Sequence, residues 1–173
     1  ISKLFDDIKK ISFLIFLIFV LTWIIVYFFF EIRLSHLSYG YHLLDKDLLN
    51  HYFFSSLLYL HSQPYLWNLF NGIVVNLFDG NYKFIEIFFT LYHHLLTLLS
   101  LYIFNLILRE YKINLRTSFF IILFFCINPS IIFFENIFSY AHTTFFIFNL
   151  LILFIVKFIN SGMKNSYEIG IYL

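Results

Sequence analysis

Long uncharged stretches, rather than short alternating runs, set the pattern of this chain. No Asp, Glu, Lys or Arg occurs from Ile11 to Phe30. A helix of that length, rising about 1.5 Å per residue, covers the roughly 30 Å hydrocarbon layer of a bilayer. The same pattern predicts further spans at about 84–108, 117–134 and 137–157, the second built on the uncharged run Ile87–Leu108 and closed by Arg109. The last two are separated by Glu135 and a few neighbours, which predicts a tight helical hairpin with its turn near Glu135–His142. Pro129 follows Asn128 and lacks a backbone donor, so a kink is expected near the outer end of the third span. The expected fold class is all-α and integral to the membrane: a polytopic helical bundle, with residues 1–173 forming part of a single transmembrane domain.

Residues 31–83, between the first two spans, are too apolar for a free loop. Residues 43–60 read as an amphipathic surface helix, with Asp47, Asn50, His51 and Ser55 on one side and Leu48, Leu49, Tyr52, Phe53 and Leu60 on others. The stretch 65–78 is interrupted by Asn68, Asn71 and Asn76 and falls short of the roughly 17 residues a span needs, which places it at the interface as a second surface helix.

Composition excludes several classes. Hydrophobic residues make up 61% of the chain and charged residues 12%, whereas soluble domains carry about a quarter charged residues. Such a chain cannot cover itself with polar surface in water. The formal net charge is +1 and no run of basic residues forms a stripe, so no nucleic-acid partner is expected. Cys126 stands alone in an apolar stretch, which rules out a disulfide framework and a metal–thiolate site. Lys9 and Lys10 precede the first span as the basic end of a signal peptide would. The apolar run is too long for one and lacks a small-x-small cleavage site, so an uncleaved anchor is expected. Because the sequence starts at Ile1 and stops at Leu173 just after a span, further C-terminal transmembrane helices are expected as its packing partners.

Basic residues near span ends stay on the cytoplasmic side. Four spans put Lys3, Lys9, Lys10, Arg109, Lys112, Arg116, Lys157 and Lys164 on one side and Arg33, Lys46 and Lys83 on the other. The N-terminus is therefore expected in the cytoplasm. The 31–83 segment and the Glu135–His142 turn then share the opposite face.

Ionisable groups in or near a bilayer cost several kcal/mol unless paired or wetted, and three clusters qualify as candidates. Asp45-Lys46-Asp47, with His51 and His61, presents two carboxylates that can ligate a divalent cation or act as a general base toward a hydroxyl; the plainer alternative is that both acids cap and start the surface helix. Glu135, with Asn136, Tyr140 and His142, offers a carboxylate that can bind a sugar hydroxyl, or simply a solvated turn. Glu86, Thr90, His93, Thr97 and Ser100 share one face of the second span, where small polar groups ordinarily mediate helix packing and less often line a proton or substrate path. No Gly-rich phosphate loop, Cys/His metal spacing or Gly-x-Ser-x-Gly elbow occurs, so nucleotide-driven transport has no support.

The run Tyr59-Leu60-His61-Ser62-Gln63-Pro64-Tyr65-Leu66-Trp67-Asn68-Leu69-Phe70-Asn71-Gly72 resembles a segment of bacterial membrane proteins in the dolichyl-phosphate-mannose mannosyltransferase-like group (glycosyltransferase family 39-like), within the C-type glycosyltransferase superfamily. That segment reads Tyr-x-His-x-Gln-Pro-Pro-Leu-x-Asn followed by a short apolar helix. Asn128-Pro129-Ser130 with Glu135-Asn136 and Tyr140 is similar to the group's Pro-x-x-x-x-x-Glu-Asn stretch. Tyr65 stands where the group has a second proline, and the loop acid is open between Asp45 and Asp47.

The resemblance implies a hexosyltransferase of the bacterial cytoplasmic membrane, with surface helices in its first outer loop. It would move a sugar from a polyprenyl-phosphate donor to a lipid, protein or glycan acceptor on the non-cytoplasmic face. On that reading Asp47 or Asp45 is the base. His61, Gln63, Asn68, Glu135, Asn136 and Tyr140 hold substrate, and membrane lipid and the lipid-linked sugar are the partners. The rival reading is a non-enzymatic polytopic membrane protein, such as a transporter, flippase or accessory subunit, whose pathway is the second-span stripe.

Overall fold

Short polar residues punctuate an otherwise continuous apolar sequence, and they decide where its helices stop and start. The computed structural model describes residues 2–30, 51–52, 54–55, 65–135 and 140–161. Among them the regular elements are helices: α1 (Ser2–Phe30), α2 (Tyr65–Leu77), α3 (Tyr82–Glu110), α4 (Leu115–Cys126), α5 (Pro129–Glu135) and α6 (Ala141–Asn160). Of the expected surface helix 43–60, the described residues are His51, Tyr52, Phe54 and Ser55, all exposed.

α2 ends in a Schellman-type turn. Gly80 N–H donates to Val75 O at 2.9 Å while Asp79 and Gly80 take φ of 47° and 66°, a left-handed pair that glycine, and to a lesser degree aspartate, tolerates. The Asn81 side chain then accepts from Lys83 N–H at 3.1 Å and starts α3. After α3 the chain turns through Lys112 (φ 58°), and Asn114 caps α4 by accepting from Thr117 N–H at 2.9 Å.

Where one kinked span over 117–134 is expected, the chain forms two helices. α4 stops at Cys126, and Asn128 Oδ1 accepts from Ser130 N–H at 2.9 Å to start α5 with Pro129 as its first residue. Proline suits that position because its missing donor has no intrahelical partner there in any case. The result is a break rather than a bend.

α3 is the hub of the packing, touching α1, α4, α5 and α6, and its contact with α6 is the most extensive among the described helices. The two run parallel: Tyr92 meets Thr143 near one end, and Asn160 Nδ2 donates to Glu110 O and Oε2 at 3.1 and 3.2 Å at the other. α1 runs against them. Its Trp23–Phe28 end lies beside Thr90–His94, whereas Ile15 belongs to the cluster reaching Leu101, Leu108, Ile122 and Cys126. On α1 the buried residues Ile15, Phe19, Trp23 and Val26 recur at helical spacing and form a single stripe. α2 packs on the start of α3 through Trp67, Val74 and Val75 against Ile85 and Phe89.

The distribution of polarity is inverted relative to a soluble domain. His93, Asn68 and Asn105 are completely enclosed, with Thr97, Ser100, Ser118, His142 and Asn149 nearly so. Meanwhile Phe13, Phe28, Leu66, Leu77, Leu91, Phe120 and Phe124 each expose well over half their surface. By length and composition, Lys83–Glu110 and Ala141–Asn160 can cross a membrane, while the apolar helical segments Ser12–Phe28 and Leu115–Cys126 are shorter.

Candidate functional site

Asn68 and Tyr140, two of the candidate site residues, belong to described segments that meet in space. Asn68 is fully enclosed on α2, and its neighbours Leu66, Trp67 and Phe70 form one wall of a cleft of about 190 Å³. Tyr140, which precedes the first residue of α6, forms the opposite wall with Thr143 and Thr144, and Tyr92 of α3 closes the base. Asp45, Asp47, His61, Gln63 and Asn136 lie outside the described residues. Glu135 is the last residue of α5, five residues before Tyr140, the first cleft-lining residue after it.

The aromatic wall is a packed array. Phe70 and Tyr92 have ring centroids 5.0 Å apart, Trp67 and Phe70 5.7 Å, and Trp67 and Tyr92 6.4 Å, spacings at which offset and tilted rings attract. Tyr92 Oη and Thr143 Oγ1 lie 2.9 Å apart, a hydrogen bond that fixes the floor of the cleft between α3 and α6. An aromatic platform facing hydroxyls suits a ligand with both apolar and hydroxylated faces. The volume is below the roughly 300–1,000 Å³ of pockets that enclose a whole small molecule. This cleft can therefore hold a portion of a larger ligand.

Between the same helices, the His93 and His142 rings lie with centroids 5.1 Å apart and planes tilted by 38°, and Thr97 Oγ1 lies 3.4 Å from His142 Nδ1. In sequence these histidines fall in different clusters, His93 in the α3 stripe and His142 in the hairpin turn; helix pairing makes them one group. The stripe itself divides. Thr97 joins His142 in the α3–α6 seam, whereas Thr90 Oγ1 donates back to Glu86 O at 2.8 Å and Thr90 borders a separate groove between α1 and α3. His94 also faces that groove, its ring 3.7 Å from the Trp23 ring centroid. Its Nδ1 lies 2.6 Å from Thr90 O, and because a carbonyl can only accept, Nδ1 carries a proton.

Tyr92, Thr143, Asn105 and Asn149 escape sequence reasoning. Asn105 is fully enclosed on α3 but lies about 100° around the helix from the Glu86–Ser100 stripe, so the spacing gives no signal for it; Tyr92 and Thr143 sit in runs whose composition gives no cue either. Among the described residues no three His, Cys, Asp or Glu side chains converge as a metal site. In comparison with known proteins, no family, no curated protein and no solved structure matches this chain.

Proposed function

We propose that this chain is a membrane-embedded helical unit of a glycosyltransferase that takes its sugar from a polyprenyl-phosphate carrier on the non-cytoplasmic face. The membrane part of the reading is supported by the inverted polarity. Withdrawing a large apolar side chain from water stabilises by about 1.5–3 kcal/mol, so the exposed Phe and Leu side chains represent a large cost in water and none in lipid. Enclosed histidines and asparagines among helices fit the same solvent, where polar groups turn inward and pair across interfaces.

One observation carries the transferase part. The two stretches singled out by the family resemblance, Tyr59–Gly72 and Asn128–Tyr140, contribute opposite walls of a single cleft through Leu66, Trp67 and Phe70 on one side and Tyr140 on the other. In the proposed reaction an acceptor oxygen attacks the anomeric carbon, the polyprenyl phosphate departs with the bonding electrons, and Asp47 or Asp45 takes the acceptor proton. His61 and Gln63 position the donor phosphate. Glu135, Asn136 and Tyr140 contact the sugar, with the aromatic wall against its apolar face or the first isoprene units, while Asn68, enclosed on α2, supports that wall from behind. Either loop carboxylate also suits a divalent cation, should the reaction use one.

Turnover of a polyprenyl-phosphate sugar by the full-length protein tests this. A general base contributes about 10²- to 10⁴-fold, so Asp47→Asn, or failing that Asp45→Asn, is expected to reduce turnover by that factor with membrane insertion intact. Normal turnover in both variants removes the catalytic role.

A second reading, a non-enzymatic membrane protein with a polar path, draws on the enclosure of His93, Thr97 and Ser100 along one face of α3. It reverses the order of sensitivity: Glu86→Gln and His93→Ala abolish activity while the loop carboxylates are dispensable.

A further inference from the structure

Three cationic side chains converge where α3 and α6 end. Arg109 lies in the last turn of α3, Lys112 occupies the left-handed residue after it, and Lys157 lies in the last turn of α6. Together they border a cleft of about 640 Å³. Cations near helix C-termini ordinarily cover free carbonyls, yet here those carbonyls have other donors. Leu108 O accepts from Ile113 N–H, Arg109 O from Lys112 N–H, Glu110 O from Asn160 Nδ2, and Lys157 O from Ser161 N–H. Phe158 O accepts from Ser161 Oγ.

The cations are thus left for another acceptor. Arg109 Nε and Nη2 are enclosed and meet no acceptor among the described residues. Glu110, the acid on this wall, already accepts from Asn160 Nδ2 at its Oε2, and among the described lining residues three cations against one carboxylate leave an excess positive charge. Leu106 and Ile113 line the same cleft, so it joins a charged mouth to an apolar wall. An inorganic anion would use the first and leave the second idle.

We propose that this cleft binds the phosphodiester headgroup of an anionic membrane lipid, of which phosphatidylglycerol is the simplest. Arg109, whose Nε and Nη2 are enclosed, supplies a fixed guanidinium charge at the cleft wall. Lys112 and Lys157 supply point charges around the phosphate, and Leu106 and Ile113 cover the glycerol and first acyl carbons. Basic pockets between helices at the cytoplasmic surface select such headgroups. The inference rests on the membrane reading above and is independent of the transferase chemistry.

The full-length protein is reconstituted into nanodiscs of phosphatidylcholine with and without phosphatidylglycerol, and retained lipid is counted by native mass spectrometry. Retention of phosphatidylglycerol over phosphatidylcholine is expected. Each cation near the surface is worth about a fivefold change in affinity. Arg109→Gln/Lys112→Gln/Lys157→Gln is therefore expected to weaken retention on the order of a hundredfold. Lys112→Gln/Lys157→Gln, altering two exposed side chains, provides a variant whose fold is undisturbed, with an expected loss of roughly 25-fold. Equal retention of the two lipids, or an undiminished preference in the double variant, overturns the site. Displacement of the lipid by millimolar inorganic phosphate overturns the choice of a lipid as its ligand. Failure of the protein to enter either nanodisc overturns the membrane reading, and the proposal with it.

Discussion

The hydrogen bond between Tyr92 Oη and Thr143 Oγ1 ties α3 to α6 at the cleft, and its two partners respond differently to removal. In Tyr92→Phe the ring keeps its place against Phe70 and Phe88, and only the hydroxyl is lost. Thr143 is then left with a hydroxyl on a helix, where it can turn back to a carbonyl one turn earlier, as Thr90 Oγ1 does to Glu86 O at 2.8 Å. Thr143→Val instead strands a half-buried phenol that cannot reach its own backbone. Interhelical hydrogen bonds in membranes average about 0.6 kcal/mol, with a maximum of about 1.7. Tyr92→Phe is accordingly expected to cost about 0.5 kcal/mol, Thr143→Val about 1–1.5, and the double variant less than their sum by about 0.6.

Reversible unfolding in mixed micelles, titrated with a denaturing detergent, measures all three. Thr90→Val serves as the control, since its hydrogen bond stays within one helix, and its coupling to Tyr92 is expected to vanish. A cycle with no coupling between Tyr92 and Thr143, or Tyr92→Phe costing more than Thr143→Val, would refute both the contact and the parallel pairing built on it.

Further expectations concern single elements. Asn128→Ala removes the cap of α5 and is expected to destabilise by about 1 kcal/mol, read in the same unfolding titration; no loss would mean that Pro129 alone starts the helix. Trp67 and Trp23 are the two tryptophans of the chain, so Trp23→Phe leaves a single reporter in the cleft. Polyprenyl phosphate is expected to shift its emission to the blue, and an unchanged spectrum at saturating lipid would remove the aromatic wall from the binding surface. In a Cys126→Ser background, Tyr140→Cys is expected to label with an impermeant maleimide from outside and Lys112→Cys from the cytosol, since the two positions lie at opposite ends of the parallel pair. Labelling of both from one side would discard the orientation and detach the cleft from an externally presented donor.

Element ends have local causes, although of these only Pro129 is read as a signal in the sequence. Asn81, Asn114 and Asn128 each accept from a backbone donor two or three residues ahead, and such contacts need nothing beyond the chain's own next turn. Pro129 is a signal of the same kind. Its effect is larger than the kink expected of it, because the preceding Asn128 supplies a cap and turns a bend into a new start. The uncharged runs also foretell which segments present apolar surface on all sides, since that depends on composition alone.

Pairing across helices is another matter. His93 and His94 are adjacent, yet a turn of about 100° between neighbouring helix positions sends one toward His142 and the other toward Trp23. No local rule says which neighbour lies in which direction. Likewise Glu86, Thr90, His93, Thr97 and Ser100 read as one face, but α1 and α6 approach that face from different sides and divide it between them. The cleft has the same origin, for Trp67 and Tyr140 share it only because α2 packs on the start of α3 and α6 lies parallel to that helix. Helical character and apolar surfaces follow from composition and short-range chemistry and can be read from the chain alone; the ends can be read only in part, since Asn128–Pro129 breaks the expected 117–134 span into α4 and α5. Which polar side chains face one another was decided only in the tertiary structure, because it depends on the rotation and direction of whole helices against partners far away along the chain.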